Sequence, residues 1–405
     1  MPVFGVWMWP DSLVSSPAEQ VAARCARMGV TDIFFLSKGL AGTVSCAGGP
    51  APAGFSRDLL QELLDAAHSR GIRVHAWLTS ANDEHYKALH PESGRCHYTR
   101  GKDKGLISLR DEGYLRYMEN VVRDLCRRYD IDGLHLDYIR YNHLLYGWDD
   151  ADVTRYADAG ADIPHVRRLM EQTFFGENGG DGARIFDALR EGDRSVRALA
   201  KVRRRDVAAF ARGLVSAARS ENARLSLSAA LMPEGAYGDT VFADLHYGQS
   251  YEDAAALYDF AVPMAYSQAY GQDGRWVRMV AEGTLRRGLR TVAGLHAYEG
   301  GTGDTLREDL SSLRDEPVDG VCLFREGAFI LALREEKGLL IRNPLEKPVT
   351  ALQACGQDIL LKEPVLPGTE RRVSLPCAPD GLRAFSGEEE CCIFLAPHNG
   401  PEKSL

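Results

Sequence analysis

Four carboxylates lie where a short apolar run of the sequence ends. Asp137 ends the run 133–136, and Glu234, Glu299 and Glu326 follow three later runs. Two facing carboxyl groups can cleave a glycosidic bond. One protonates the leaving oxygen, while the other either attacks the sugar carbon or activates a water molecule. These residues therefore indicate paired-carboxylate hydrolysis, provided that the fold brings two of them together.

Strand and helix signals alternate along most of the chain, and they define the elements that must position these carboxylates. Short apolar runs are separated by amphipathic segments, which is the pattern of parallel strands joined by crossover helices. We predict eight strands, at residues 3–9, 32–37, 72–78, 133–139, 225–231, 260–266, 291–297 and 318–324. No glycine-rich phosphate-binding turn follows any of these runs. The pattern therefore predicts an α/β fold, a (β/α)₈ TIM barrel, rather than a doubly wound open sheet.

The predicted barrel occupies residues 1–342 and carries one large insertion. Residues 142–203, between strands four and five, are predicted as helices with a loop between them. Because this insertion leaves the carboxyl end of a barrel strand, we expect it to roof one side of the site. From 343 to 405, short β-prone runs separated by glycine and proline predict a small C-terminal β-sheet appendage that packs on the barrel. A carbohydrate-binding module is the alternative, with Phe385 and Phe394 as its stacking surfaces.

The alternation of side chains along strand four decides which of them face the barrel interior. Leu134 and Leu136 are apolar and should face the outer helices, so Gly133, His135 and Asp137 should face the interior. Asp137 then takes the last inward position at the carboxyl end of the strand, where the catalytic groups of TIM barrels lie. The alternatives are an ion pair with the nearby arginine or a cap on the next helix.

Aromatic and polar residues near the same end of the barrel are candidates for binding a substrate. The phase argument points His75 and Trp77 of strand three inward, together with Trp7 and Trp9 of strand one. Tryptophans there would offer flat apolar faces on which sugar rings stack, and core packing is the alternative for each. For His135 the alternative is a hydrogen-bonded core histidine. The remaining predicted binding residues follow the strands or end them: Tyr138, Arg140, Tyr141, Tyr266, Gln268 and His296.

Three glutamates compete for the role of the second carboxylate. Glu234 ranks first, because many sugar-cleaving barrels combine an Asp after strand four with a Glu after strand five. Pro233 interrupts that strand and could turn Glu234 aside. Glu326 ranks second, since it shares the inward phase of strand eight, although Arg325 beside it is a possible ion-pair partner. Glu299 ranks third.

Composition excludes several classes of partner. Lys and Arg total 48 against 57 Asp and Glu, a net charge of −9, which argues against general binding to nucleic acid or to an anionic membrane. Nine cysteines without a CxxC pair predict no disulfide framework and no zinc site, and fit a reducing compartment. No signal peptide and no membrane-spanning run is present, so we expect a cytoplasmic protein without cofactor or metal.

Two other functional classes remain open at this stage. A metal-dependent hydrolase could use His75, His135 and Asp137, because inward His and Asp residues on neighbouring strands can bind zinc. A catalytically silent carbohydrate-binding barrel would keep the aromatic residues and Asp137 but have no second acid within reach. Activity measurements separate the second class from a hydrolase, and a metal assay separates the first.

Several short runs of sequence, spread in order over most of residues 1–335, match the pattern of a known family. They read Phe-Gly-Val-Trp at 4–7, Gly-Ile-Arg-Val-His-Ala-Trp-Leu at 71–78, Asp-Gly-Leu-His-Leu-Asp-Tyr-Ile-Arg-Tyr at 132–141, Tyr-Gly-Gln-Ser at 247–250 and Asp-Phe-Ala-Val-Pro-Met-Ala-Tyr at 259–266. In these runs the chain resembles the family-ten glycosyl-hydrolase-like proteins of bacteria. The resemblance implies a TIM-barrel glycosidase with Asp137 as the leading catalytic position. Without an export signal, we expect the carbohydrate substrate to be an imported or internally made oligosaccharide.

Overall fold

A computed structural model describes residues 2–102, 104–176, 179–237, 240–298, 300–335, 338–375 and 379–396. Its centre is a closed barrel of eight parallel strands in chain order, which confirms the predicted fold class. The strands are β1 (Val3–Met8), β2 (Asp32–Lys38), β3 (Arg73–Thr79), β4 (Gly133–Asp137), β5 (Ser226–Leu231), β6 (Phe260–Ala265), β7 (Val292–His296) and β8 (Gly320–Phe324).

Amphipathic helices surround the barrel and bury their apolar faces against it. In the helix that precedes β4, Asp111 caps the first turn by accepting a hydrogen bond from the Tyr114 amide at 2.7 Å, and Met118, Val122 and Leu125 are buried. The helices are α1 (Asp11–Ser15), α2 (Ala18–Met28), α3 (Leu59–His68), α4 (Glu84–Leu89), α5 (Glu112–Arg128), α6 (Asp150–Asp158), α7 (Ile163–Phe174), α8 (Arg184–Arg190), α9 (Arg194–Glu221), α10 (Val241–His246), α11 (Tyr251–Ala255), α12 (Gly274–Arg286) and α13 (Gly303–Ser312).

The strand register fixes the level of each inward side chain in the barrel. On β3 and β4, His75 lies opposite Gly133, Trp77 opposite His135, and Thr79 opposite Asp137. The inward residues form an interior apolar cluster that is separate from the core between strands and helices. Asp137 is therefore the last residue of β4 and faces the carboxyl end of the barrel, as the phase argument predicted.

The insertion between β4 and β5 consists of α6, α7, α8 and the first part of α9. These helices share an apolar core of their own, which includes Trp148, Tyr156 and Phe186. Helix α9 has 28 residues and runs from this core without a break into the barrel wall, where it packs on α5. At the junction the buried Arg203 donates hydrogen bonds to the carbonyl oxygens of Tyr146, at 2.7 Å, and of a residue in α10, at 3.0 Å.

Two four-stranded sheets follow β8. Their strands are β9 (Ile330–Glu335), β10 (Gly338–Arg342), β11 (Val349–Ala354), β12 (Gln357–Val365), β13 (Glu370–Val373), β14 (Leu382–Ser386), β15 (Glu389–Cys391) and β16 (Ile393–Leu395). The orders are β13-β10-β9-β16 and β12-β11-β14-β15, and the two sheets share a buried core. Phe394 of the first sheet packs on Phe4 of β1, with ring centroids 5.5 Å apart. The sheets thus begin at Ile330, earlier than the change of pattern at 343, because β9 and β10 carry Leu, Ala, Arg and Glu residues that also suit helices.

One cysteine differs from the sequence expectation. Cys355, in the turn between β11 and β12, is disulfide-bonded, while the other cysteines of the described residues are free. Cysteine spacing could not show this, because strand pairing and not sequence distance decides which thiols meet. Disulfides are commoner in oxidising compartments, so this bond does not favour the cytoplasmic expectation. In the described part of the chain, no helix is both long and apolar enough to cross a membrane.

Candidate active site

Asp137 is buried at the end of β4 and is surrounded by hydrogen-bond donors. The Trp77 indole N–H donates to its Oδ2 at 3.2 Å, and the Tyr138 amide donates to its Oδ1 at 2.6 Å. Arg140 approaches the same Oδ1 at 3.4 Å. These donors suit a charged carboxylate and hold it in one orientation at the mouth of the barrel.

The backbone conformation of Tyr138 directs its own amide N–H toward the Asp137 carboxylate. Tyr138 has a φ of +56°, in the left-handed region that residues other than glycine seldom adopt. This turn brings the Tyr138 amide onto the preceding carboxylate, while the Arg140 guanidinium lies 4.6 Å from the centroid of the tyrosine ring. Unfavourable backbone conformations of this kind are concentrated at functional sites.

Glu234 lies in a short 3₁₀ turn, Pro233–Gly235, directly after β5. The hydroxyls of Tyr247 and Tyr270 both donate to its Oε1, each at 3.2 Å. Its Oε2 is buried and has no hydrogen-bond partner among the described residues. Burial raises the pKa of the Glu234 carboxyl, and a hydrogen bond from its own backbone, the tyrosine hydrogen bonds and the charge of Arg140 offset that rise only in part. Glu234 therefore keeps its proton to a higher pH than an exposed glutamate does, which suits a general acid.

Arg140 connects the two carboxyl groups. It is 3.4 Å from Asp137, and its charge also acts to lower the pKa of Glu234. Tyr266 is affected by both neighbours, since burial and the negative charge of Asp137 raise the pKa of its hydroxyl while Arg140 opposes the rise. Asp137, Glu234, Arg140 and Tyr266 thus form one electrostatically connected group at the carboxyl ends of β4, β5 and β6.

Aromatic rings line the same end of the barrel. The ring of Phe324, at the end of β8, lies 6.3 Å from Trp9, 6.4 Å from Trp77 and 5.6 Å from Tyr266. His296, at the end of β7, lies 6.4 Å from Tyr266. Gln268 is exposed in the short turn that also carries the Tyr270 hydroxyl donor. Trp9, Trp77, Tyr266 and His296 therefore surround the mouth as expected from the sequence.

Three predicted binding residues lie deeper in the barrel. His75 pairs with Asp32 at 2.8 Å near the amino end, and Asp32 also binds Arg73. Trp7 donates its indole N–H to His135 Nε2 at 3.2 Å, so the other nitrogen of this histidine carries the proton toward Ser228, 2.9 Å away. Burial lowers the pKa of His135 well below its ordinary value, which keeps the ring neutral. His75, His135 and Trp7 are interior packing residues, because strand phase gives direction but not depth.

Tyr141 does not face the mouth either. Its hydroxyl donates to Asp206 of α9 at 2.9 Å, and the guanidinium of Arg203 lies 3.7 Å from its ring centroid. It was predicted to bind substrate because it follows Asp137 closely. The chain has already turned toward the insertion at this point, so Tyr141 fastens β4 to α9 instead.

Glu326 does not join this group. Glu326 accepts hydrogen bonds from Ser12 and from Arg24 of α2, the latter at 2.9 Å. β8 ends at Phe324, so the inward alternation does not extend to Glu326, and the buried Arg24 supplies its counter-charge. Arg325 lies over the Trp9 ring at 3.7 Å rather than pairing with Glu326. Glu299 lies outside the described residues.

Tyr247 is a site residue that the sequence did not single out as such. It follows α10, 110 residues after the end of β4 at Asp137, and its hydroxyl contacts Glu234. The side chain of the neighbouring Gln249 accepts a hydrogen bond from the Met232 amide at 2.7 Å and donates one to the Ile139 carbonyl at 3.2 Å. These two bonds join the loops after β4 and β5. The run 247–250 belonged to the family resemblance, and that was the one signal for this loop.

The fold and site together define a TIM barrel with two carboxyl groups at its carboxyl-terminal mouth. No family model and no curated protein matches the sequence, so family-ten membership remains a prediction. The glycoside hydrolase domain of PgaB (BpsB) from Bordetella bronchiseptica is similar in structure, with a TM-score of 0.65 at 16% identity over 80% of this chain and 94% of that chain.

Other solved structures share the same barrel. The catalytic domain of β-amylase from Paenibacillus polymyxa has a TM-score of 0.58 at 9% identity over 81% of this chain and 93% of that chain. β-Galactosidase from the psychrophilic Marinomonas ef1 has a TM-score of 0.56 at 12% identity over 80% of this chain and 54% of that chain. The structural neighbours are thus TIM-barrel glycoside hydrolases, and at these identities the likeness shows the fold alone.

Proposed function

We propose that this protein is a glycoside hydrolase that cleaves an O-glycosidic bond of an oligosaccharide or glycoconjugate. Asp137 acts as nucleophile or base, and Glu234 is the general acid. The observation that carries this proposal is the contrast between the two carboxyl groups. Asp137 is held by three donors, whereas Glu234 has a raised pKa and a buried oxygen without a partner. Two carboxyl groups in such different environments are the usual arrangement for acid and nucleophile.

The proton-transfer step follows from the geometry of Glu234. Its Oε1 is occupied by the hydroxyls of Tyr247 and Tyr270, so the unpartnered Oε2 is the atom that would carry the proton. Oε2 is buried in this structure, so the Glu234 side chain would first turn toward the cleft. A glycosidic oxygen hydrogen-bonded to Oε2 would then take this proton as the bond to the sugar carbon breaks. The resulting carboxylate would then be stabilised by the two hydroxyls and by the charge of Arg140.

The rim of the site supports a carbohydrate as substrate. Trp9, Tyr266 and Phe324 are partly exposed and offer aromatic faces, and sugar rings bind to such faces. The solved glycoside hydrolases with the same barrel support this class of reaction. The direct experiment is a screen of purified protein against a panel of nitrophenyl glycosides, in which release of nitrophenol from one sugar identifies the substrate class.

A metal-dependent mechanism finds less support in the placement of its proposed ligands. His75 lies opposite Gly133, four residues before Asp137 on β4, which is about 13 Å along the strand. No metal ion can contact residues so far apart, since Zn–N and Zn–O bonds are about 2 Å long. Within the residues that the structure describes, no group of three or more His, Cys, Asp or Glu side chains is placed to hold a metal.

Activity should therefore survive chelation. We expect dialysis against EDTA to leave turnover of the identified glycoside unchanged, because the proposed acid and nucleophile are both protein carboxyl groups. Elemental analysis of the dialysed protein provides the check. One tightly held zinc per chain, together with activity that disappears on chelation and returns on adding zinc, would contradict the carboxylate mechanism.

The pH dependence of turnover should report on Glu234. Only the protonated acid can donate, so kcat should fall as the pH rises through the pKa of Glu234, which burial places above its ordinary value of 4.5. The Glu234→Gln variant, assayed on an aryl glycoside, should lack this fall on the alkaline side. The measurement is kcat against pH for both proteins. The same alkaline fall in the variant would assign it to another group.

A further inference from the structure

A basic groove runs along the outer side of α9, between this helix and α8, α10 and α11. Its volume is about 760 Å³, within the usual range for ligand-binding clefts. Two acidic residues line it, Asp244 and Asp253. The cationic residues in its lining outnumber them: Arg190, Arg197, Lys201, Arg204, Arg205 and Arg212.

Four of these cations form a stripe on one face of α9. Arg197, Lys201 and Arg205 are spaced by four residues, and Arg212 lies seven residues further on, so all four share a face of the helix. All four side chains are exposed, and none forms an ion pair with any residue that the structure describes. From the first to the last, the stripe extends about 22 Å along the helix.

The stripe differs from the cations of a neighbouring helix. On α5, Arg123 pairs with Glu119 and Arg128 pairs with Asp124, each four residues earlier. On α9 the residues at that spacing are cations as well, and like charges four residues apart destabilise a helix. The chain is acidic overall, yet it places no acid within this stripe. The unpaired charges are therefore available to an anionic partner from outside the chain.

The two acids of the groove do not supply that partner. Arg204 approaches Asp244 at 3.2 Å and Asp253 at 3.1 Å, and it also donates to Ser250 at 2.9 Å. Asp244 and Asp253 thus pair with Arg204 and not with the exposed stripe. The exposed stripe above keeps a surplus of positive charge.

The groove adjoins the candidate active site through α10. Val241 and Asp244 of this helix line the groove, and Tyr247, the residue that follows the helix, donates to Glu234. We infer that the groove is an accessory binding site for an anionic glycan, a chain of sugars that carry carboxylate or sulfate groups. This inference rests on the proposed function, because the same polymer would supply the glycosidic bond. Holding the polymer at a second point raises its effective concentration at the cleft.

The lining of the groove disfavours a single-stranded nucleic acid, and it would hold a glycan by its charged groups and not by ring stacking. Proteins that hold single-stranded nucleic acids combine positive charge with aromatic side chains on which bases stack. The residues described around this groove are cationic, acidic, Ala, Leu and Val, with no aromatic ring among them. Arginines can bind carboxylate and sulfate groups through paired hydrogen bonds without stacking.

The test is a binding measurement by titration calorimetry at low salt, in the Asp137→Asn background so that no polymer is cleaved. The probes are polygalacturonate, neutral dextran and single-stranded DNA. The groove variant combines four substitutions to Gln at Arg197, Lys201, Arg205 and Arg212. A matched control removes four exposed cations that make no ion pair with described residues and lie outside the groove, by substitution to Gln at Arg224, Arg275, Arg314 and Lys362.

Polygalacturonate should bind the Asp137→Asn protein and lose about tenfold in affinity in the groove variant, but stay within about twofold in the control. Added salt should weaken this binding, and dextran should not bind. An equal loss in the control, or DNA that binds more tightly than polygalacturonate and depends on the same four residues, would overturn the inference. Groove-dependent binding of polygalacturonate by a protein that cleaves no glycoside would keep the binding site and reject the proposed function.

Discussion

Replacing Asp137 by Asn should lower turnover of the identified glycoside by a factor of about 10³ or more. The substitution keeps the size of the side chain and leaves Trp77 and the Tyr138 amide in place. It removes the carboxylate that would attack the sugar carbon or activate a water molecule. The melting temperature should stay within a few degrees, because Asn fills the volume of Asp at this buried position and still accepts a hydrogen bond there. Steady-state kinetics and thermal unfolding of the purified variant measure the two quantities.

Asp32 provides the matched control for that substitution. Like Asp137, Asp32 is a buried, inward-facing aspartate on a barrel strand, and its partners are the His75 ring and Arg73. It lies at the opposite end of the barrel. Asp32→Asn should lower the melting temperature and keep turnover within about tenfold of the wild type, since its partners are structural. Wild-type turnover in the Asp137→Asn variant would remove Asp137 from the mechanism.

Glu234→Gln should impair cleavage according to the leaving group. For alkyl or sugar leaving groups, which need a proton to depart, we expect a loss of about 10² to 10⁴ in kcat. Aryl glycosides should keep much of their rate, because a departing phenolate needs little protonation. The measurement is the slope of log kcat against the pKa of the leaving group, which should be steep in the variant and shallow in the wild type.

Glu326→Gln and Glu299→Gln are the comparisons for this result. Glu326→Gln leaves the buried Arg24 without its counter-charge, so it should lower the free energy of unfolding by about 3 kcal/mol and leave the leaving-group slope unchanged. Glu299→Gln should be mild in both respects. A steep slope in the Glu326 variant but not in the Glu234 variant would reverse their ranking. No change of slope in any of the three would mean that none of these glutamates is the general acid, and no turnover in the wild type would favour the catalytically silent barrel.

Some of this site could be predicted because regular alternation governs the barrel strands. Along β4 the sequence alternates Leu with polar residues up to Asp137, and the strand extends to that residue, so the phase was enough to place it. Glu326 lies two residues beyond the end of β8, where no alternation applies, and its position depends on Arg24, some 300 residues away.

Strand alternation does not show how deep in the barrel an inward-facing residue lies. Phase assigns His75, His135 and Trp7 to the interior, but their partners Asp32 and Ser228 come from other strands whose register the sequence does not state. These partners turn the three candidate binding residues into packing residues. Tyr247 was missed for the opposite reason, since it belongs to a loop with no strand phase at all.

The continuity of α9 has a consequence for motion at the cleft. Its first turns belong to the core of the insertion and its last turns to the barrel wall, and the buried Arg203 joins both to α10. A segment anchored in this way cannot swing open as a lid, because any hinge would break a continuous helix and expose a buried guanidinium. We therefore expect the insertion to stay fixed against the barrel while substrate enters and product leaves.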